Sequence, residues 1–216
     1  FIGRQDVLFH IPVYQRNYDW SEQNCNRLLD DVERILQTGD KHFLGSIVFM
    51  SSKENSFSMP NYIIIDGQQR LTTMMIFLKA LADIAETQND QCYIKIQNNY
   101  LRNQYCEEEF KIKLKPIKSD NEQFVALLDN KHQEMNQEGH IFLNYSLGKK
   151  RLENFVRNGY SPKEILSAFQ KLEIVYIELK EKEDDPQVIF ESINSTGLDL
   201  SSADLIRNFL LMNALN

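Results

Sequence analysis

Ile63-Ile64-Ile65-Asp66-Gly67-Gln68-Gln69-Arg70-Leu71-Thr72-Thr73 is the stretch whose reading decides the fold of this chain of 216 residues. Its β-branched start reads as a buried strand. Asp66-Gly67 breaks that strand, because glycine accepts backbone angles that other residues avoid. Leu71, Met74, Met75, Leu78, Leu81 and Ala82 then recur at helical spacing, so a helix follows at once. A strand, a tight turn and a helix in that order present unpaired backbone N–H groups at a positive helix end, a setting that favours an anion. Arg70 stands there with Gln68 and Gln69, and its planar fork suits a phosphate.

Many strand–glycine–helix junctions bind nothing. This one packs five polar or flexible residues between two apolar segments, and that density is the argument for a ligand. It is neither a Walker A loop, since Gly-Lys-Ser/Thr is missing, nor a dinucleotide fingerprint, since it has one Gly where three are needed. The residues alone give an anion site of no familiar class.

Composition narrows the rest. The chain is long enough for one large domain or two small ones, and 42% of it is hydrophobic, enough for a sizeable core. With 8 Gly and 5 Pro it has little room for long flexible linkers. No apolar run approaches the roughly 18 residues of a membrane helix, and the N-terminus does not read as a signal peptide. Cys25, Cys92 and Cys106 are scattered, which fits reduced thiols in the cytoplasm and neither a disulfide framework nor a zinc site. A net charge of −7 argues against a broad DNA-binding surface but leaves room for a local basic cleft. Because residue 1 is Phe, the chain is expected to start inside a longer protein.

Outward from the central stretch, Phe9–Trp20 opens with an extended segment and then gathers Gln15, Arg16, Tyr18 and Trp20. It reads either as a surface turn pinned by its aromatics or as a ligand-facing loop. Ser21 caps a helix whose apolar face runs from Cys25 to Leu36. Residues 43–50 and 62–65 form a hairpin across a polar loop, and 110–114 and 172–179 give two further strands. His42 is either structural or a ligand contact. Residues 84–170 are read as mostly helical, with helices near 122–128 and 141–156 and one starting at Ser161-Pro162. Lys149, Lys150, Arg151 and Arg157 read as a solvated helix face. Asp184-Asp185-Pro186 and Ser201–Asp204 mark two more helix starts. The expected class is α+β, a small mixed sheet among many helices within one domain spanning 1–216.

Four patches carry a resemblance. They are Tyr14–Trp20; His42–Ser46; Ile65–Thr73; and Phe190–Asn194 with Gly197–Leu200 and Asp204–Asn208. Together, and in this order, they resemble the N-terminal domain of the GmrSD-type restriction endonuclease family, of the ParB/sulfiredoxin-like fold group. The third patch matches the family's Asp-Gly-Gln-Gln-Arg motif without a substitution. The resemblance implies a nucleoside-triphosphate-binding and hydrolysing domain that uses a divalent metal such as Mg²⁺. Such domains control a DNA-cleaving C-terminal domain or partner subunit in defence against phage with modified DNA. No nuclease motif is visible here, so the cutting module is expected to lie outside this chain.

Under that resemblance, Arg70, Asp66 and Gln69 are the catalytic candidates. Gln15, Arg16, His42, Gly67, Gln68, Thr72, Asn194, Arg207 and Asn208 are candidates for binding the nucleotide, with Asp204 beside them. Asp66 either holds a metal-bound water or fixes the turn. No metal-ligand set is assigned. The competing reading is a nucleotide- or DNA-binding sensor that does no chemistry.

Overall fold

The helix that follows Gly67 is apolar on nearly every side, and a helix of that kind has to lie inside a protein. In the computed structural model, which describes residues 2–52 and 59–180, this helix is α2 (Gln68–Thr87) and is buried along most of its length. The described elements run β1 (Leu8–His10), α1 (Glu22–Thr38), β2 (His42–Ser52), β3 (Asn61–Asp66), α2, α3 (Cys92–Ile96), β4 (Leu114–Lys115), α4 (Lys118–Leu128), α5 (His140–Arg157), α6 (Pro162–Gln170) and β5 (Leu172–Leu179). The fold is therefore α+β.

The strands make one five-stranded sheet in the order β4-β1-β3-β2-β5. The expected hairpin is present as the antiparallel pair β2–β3, with Phe49 opposite Ile64 and Met50 opposite Ile63. The other contacts are parallel: β1 with β3 and β4, and β2 with β5. Alternation along the strands divides their side chains between two faces. Ile47, Phe49, Tyr62 and Ile64 join the main core, to which α1, α2, α5 and α6 also contribute. Val48, Ile65 and Leu179 form a separate cluster, with Met50 and Ile63 packed against it.

Local chemistry sets the helix ends. Ser21 and Asn24 form a reciprocal capping box on α1, and Ser161 with Glu164 forms another on α6, where Pro162 occupies the first turn. Arg151, expected on a solvated face, instead ties α5 to α1 by donating to Asn26, Asp30 and Glu33.

Two expectations need correction. The strand expected over 110–114 is reduced to Leu114–Lys115, and Glu108–Phe110 forms a 3-10 turn. The alternation of Phe110, Ile112 and Leu114 misled because Lys113 between them is itself fully buried. Its Nζ donates to the Arg4 and Asn99 carbonyls, and Asn103 donates to the Phe110 carbonyl. These bonds hold the segment in a path of its own. Conversely, Leu8–His10, expected only as an extended segment, is an interior strand of the sheet.

Two predictions concern this core. A Cβ at Gly148 of α5 would collide with the Phe77 ring of α2, so Gly148→Ala should destabilise the fold by about 1–3 kcal/mol in urea unfolding. Burial pushes the Lys113 ammonium down to about 8 from its ordinary 10.5. Between those values the unfolded chain holds more protons than the folded one, so this group makes stability rise with pH. The stability of the wild type relative to Lys113→Met should therefore be level below pH 8 and grow from there toward pH 10.5, as read from unfolding curves at each pH.

Candidate functional site

Gly67 adopts φ +91° at the N-cap of α2, and among the described residues no side chain caps that end. A β-carbon there would lie 2.9 Å from Ile47 Cγ1 and 3.0 Å from the Ser46 carbonyl oxygen. The glycine thus lets the turn close on β2. Beyond it, the Gln68, Gln69 and Arg70 amides form the first turn, and the ladder begins with Leu71 N–H donating to the Gly67 carbonyl at 3.0 Å. This end of α2 carries the partial positive charge of the helix.

The loop before α1 is fastened to that turn. Gln15 Nε2 donates to the Ile65 carbonyl at 2.8 Å. Gln69 uses both ends of its amide: Oε1 accepts from the Asp19 N–H and Nε2 donates to the Asn17 carbonyl, each at 3.0 Å. Tyr18 is buried between them, and its hydroxyl shares a 2.7 Å hydrogen bond with Thr73 and accepts from Asn144 Nδ2 at 3.0 Å. Burial pushes this phenol strongly upward, so it stays protonated. Trp20 is held through its carbonyl, which accepts from Asn144 Nδ2.

The 9–20 segment is thus a turn pinned by its own groups. Its aromatics and amides pin it, while Arg16 reaches a small cleft lined also by Gln68, Gln69, Thr72 and Asp120. Arg16 is half-exposed and pairs with Asp19 at 3.2 Å. Thr72 is buried, and its hydroxyl donates to the Gln68 carbonyl. On the other side of the turn, Arg70 Nη1 donates to the Ser46 carbonyl and the guanidinium lies over Gly45. Asp66 ends β3, half-buried, opposite Val48.

The structure therefore brings Gln15, Arg16, Asp66, Gly67, Gln68, Gln69, Arg70 and Thr72 to one end of the sheet. It gives Gln15, Gln69 and Thr72 structural duties that leave their side chains occupied. His42 stands apart: it begins β2, three residues before Gly45, and pairs with Asp31 of α1 at 3.1 Å. Asn194, Asp204, Arg207 and Asn208 lie outside the described residues. Asp120, in the first turn of α4, is an addition. Its carboxylate accepts the Tyr18 N–H at 2.7 Å, and burial raises its pKa. Nothing in the sequence around Asp120 links it to Tyr18, a hundred residues earlier, so only the fold could reveal it.

The clamp has a measurable consequence. Gln69→Ala leaves the Asp19 N–H and the Asn17 carbonyl without their partners and should cost about 1–3 kcal/mol in unfolding experiments. Gln69→Glu keeps the acceptor for Asp19 but sets a charged carboxylate oxygen against the Asn17 carbonyl at a buried position, so it should cost at least as much as Gln69→Ala. Fluorescence of Trp20, the single Trp of the chain, should shift with the loop in the same order.

Among the described residues no helix is long and apolar enough to cross a membrane. No curated protein matches the chain. The family described as "GmrSD restriction endonuclease, N-terminal domain" matches residues 1–211. That span carries the turn, the loop clamped to it and the sheet beneath them, and the chain belongs to this family.

Proposed function

We propose that this chain is the nucleoside-triphosphate-binding and hydrolysing regulatory domain of a modification-dependent restriction endonuclease, acting in phage defence. The supporting observation is the first turn of α2: among the described residues its end has no side-chain cap, and Arg70 stands beside it. Free helical N–H groups and a guanidinium are the chemistry that holds phosphate. In this reading the backbone amides at 68–70 bind phosphate oxygens, and Arg70 stabilises charge developing on the transferred phosphoryl group. Gln15 and Gln69 act by keeping the Arg16 loop in place.

A Mg²⁺-type ion would neutralise phosphate charge, held by Asp66 and by the nucleotide. The described residues contain no cluster of three or more His, Cys, Asp or Glu suited to a metal. The ParB/sulfiredoxin-like core, a C-terminal nuclease domain or partner subunit, DNA in the full assembly and a cytoplasmic setting complete the proposal.

One observation favours the second reading, a sensor that binds nucleotide or DNA without chemistry. Gln15, Gln69 and Thr72 are already bonded within the protein, which leaves fewer side chains for catalysis among the described residues. Phosphate release from ATP, GTP, CTP and UTP with Mg²⁺ separates the two. Hydrolysis predicts turnover by the wild type that falls about a hundredfold or more in Arg70→Ala. Nucleotide binding without turnover would favour the sensor, and absence of both would overturn the nucleotide reading for this chain.

A further inference from the structure

Arg70 is held at the site by a residue that contributes no side chain. β2 pairs in parallel with β5, and its register slips between Phe43 and Gly45, where Phe43 faces Glu173 and Gly45 faces Ile174. Leu44 is the extra residue, so the strand bulges there. Gly45 takes φ +130°, in the region that favours glycine. A β-carbon on Gly45 would lie 3.1 Å from Arg70 Cζ, 3.1 Å from Nη1 and 3.3 Å from Nε. Those contacts are tight, and all three are with the guanidinium. The plane of the Arg70 fork therefore rests on the bare Cα of Gly45 while Nη1 donates to the carbonyl of the next residue, Ser46.

We propose that Gly45 and its bulge position Arg70. The missing β-carbon lets the guanidinium lie against the β2 backbone, where the Ser46 carbonyl fixes one edge. The rigid fork then sets the direction of its remaining N–H donors. The same strand meets Gly67, whose added β-carbon would strike Ile47 and the Ser46 carbonyl. One short run of β2, Gly45 to Ile47, thus sets the place of both the helix start and the arginine. The claim that this positioning serves catalysis rests on the nucleotide reading above; the claim that Gly45 orients Arg70 does not.

A double-mutant cycle tests both parts, using wild type, Gly45→Ala, Arg70→Ala and the double variant. In ¹H–¹⁵N spectra, Gly45→Ala should shift the Arg70 Nε–H signal or broaden it away, while the backbone amide spectrum stays folded. In thermal unfolding, Gly45→Ala should cost more with Arg70 present than in the Arg70→Ala background, because removing the guanidinium removes the collision. Phosphate release should fall about tenfold or more in Gly45→Ala and fall no further when Gly45→Ala is added to Arg70→Ala. An unchanged Arg70 signal in folded Gly45→Ala would overturn the proposal. So would equal destabilisation, or equal failure to fold, in both backgrounds, since backbone strain would then be the whole role of the glycine. If the wild type releases no phosphate, hydrolysis is what fails, and the spectra and melting cycle still judge Gly45.

Discussion

The arrangement depends on the bond between the first turn of α2 and the loop that precedes α1. Gln69 holds the loop at both ends of its amide, Gln15 reaches back to the end of β3, and Tyr18 is buried beneath with Thr73 and Asn144 on its hydroxyl. Polar groups sealed inside a protein are costly unless they are paired, so this network admits one geometry and resists partial replacement. It places Arg16 beside a helix end fifty residues later in the chain. The same bonds that stabilise the loop fix where the backbone that carries Arg16 meets that helix end.

The sheet explains why both parts meet at one end. β3 delivers Gly67 at its C-terminal end, and antiparallel β2 runs past it from Gly45 to Val48, so Gly45 and Ser46 lie beyond the last strand pair where the turn closes. α2 then runs back through the core, buried on nearly all sides. Its interior lysine, Lys79, is fully buried and donates to Asp83 and to Asn130, while the Tyr145 hydroxyl donates to Asp83. A buried ammonium survives only with such partners. The network ties the far half of α2 to α5 and to the turn after α4, and so steadies the helix whose first turn forms the candidate site.

Elements whose reasons are local could be read directly. The β3–Gly67–α2 junction, the caps at Ser21 and Ser161, and the β2–β3 hairpin each rest on neighbouring residues and appear where propensity and period put them. The 110–114 segment did not, because its period was broken by Lys113, a charged residue whose burial depends on carbonyls at positions 4 and 99. β1 was missed as a sheet strand for a similar reason: three residues carry almost no signal, and its partners lie about fifty and a hundred residues away.

At the candidate site the division is the same. The sequence by itself determined the turn, the helix end and the presence of an arginine there, because those follow from glycine, from helix geometry and from the order of residues 63–73. It also carried the family, through patches spread along the chain. Tertiary structure alone decided which polar side chains are occupied. Gln15 and Gln69 became structural, Asp120 joined the cleft, and His42 was drawn to Asp31. Hydrogen bonds between distant segments depend on where the backbone returns in space, and that return is fixed by the packing of the whole core.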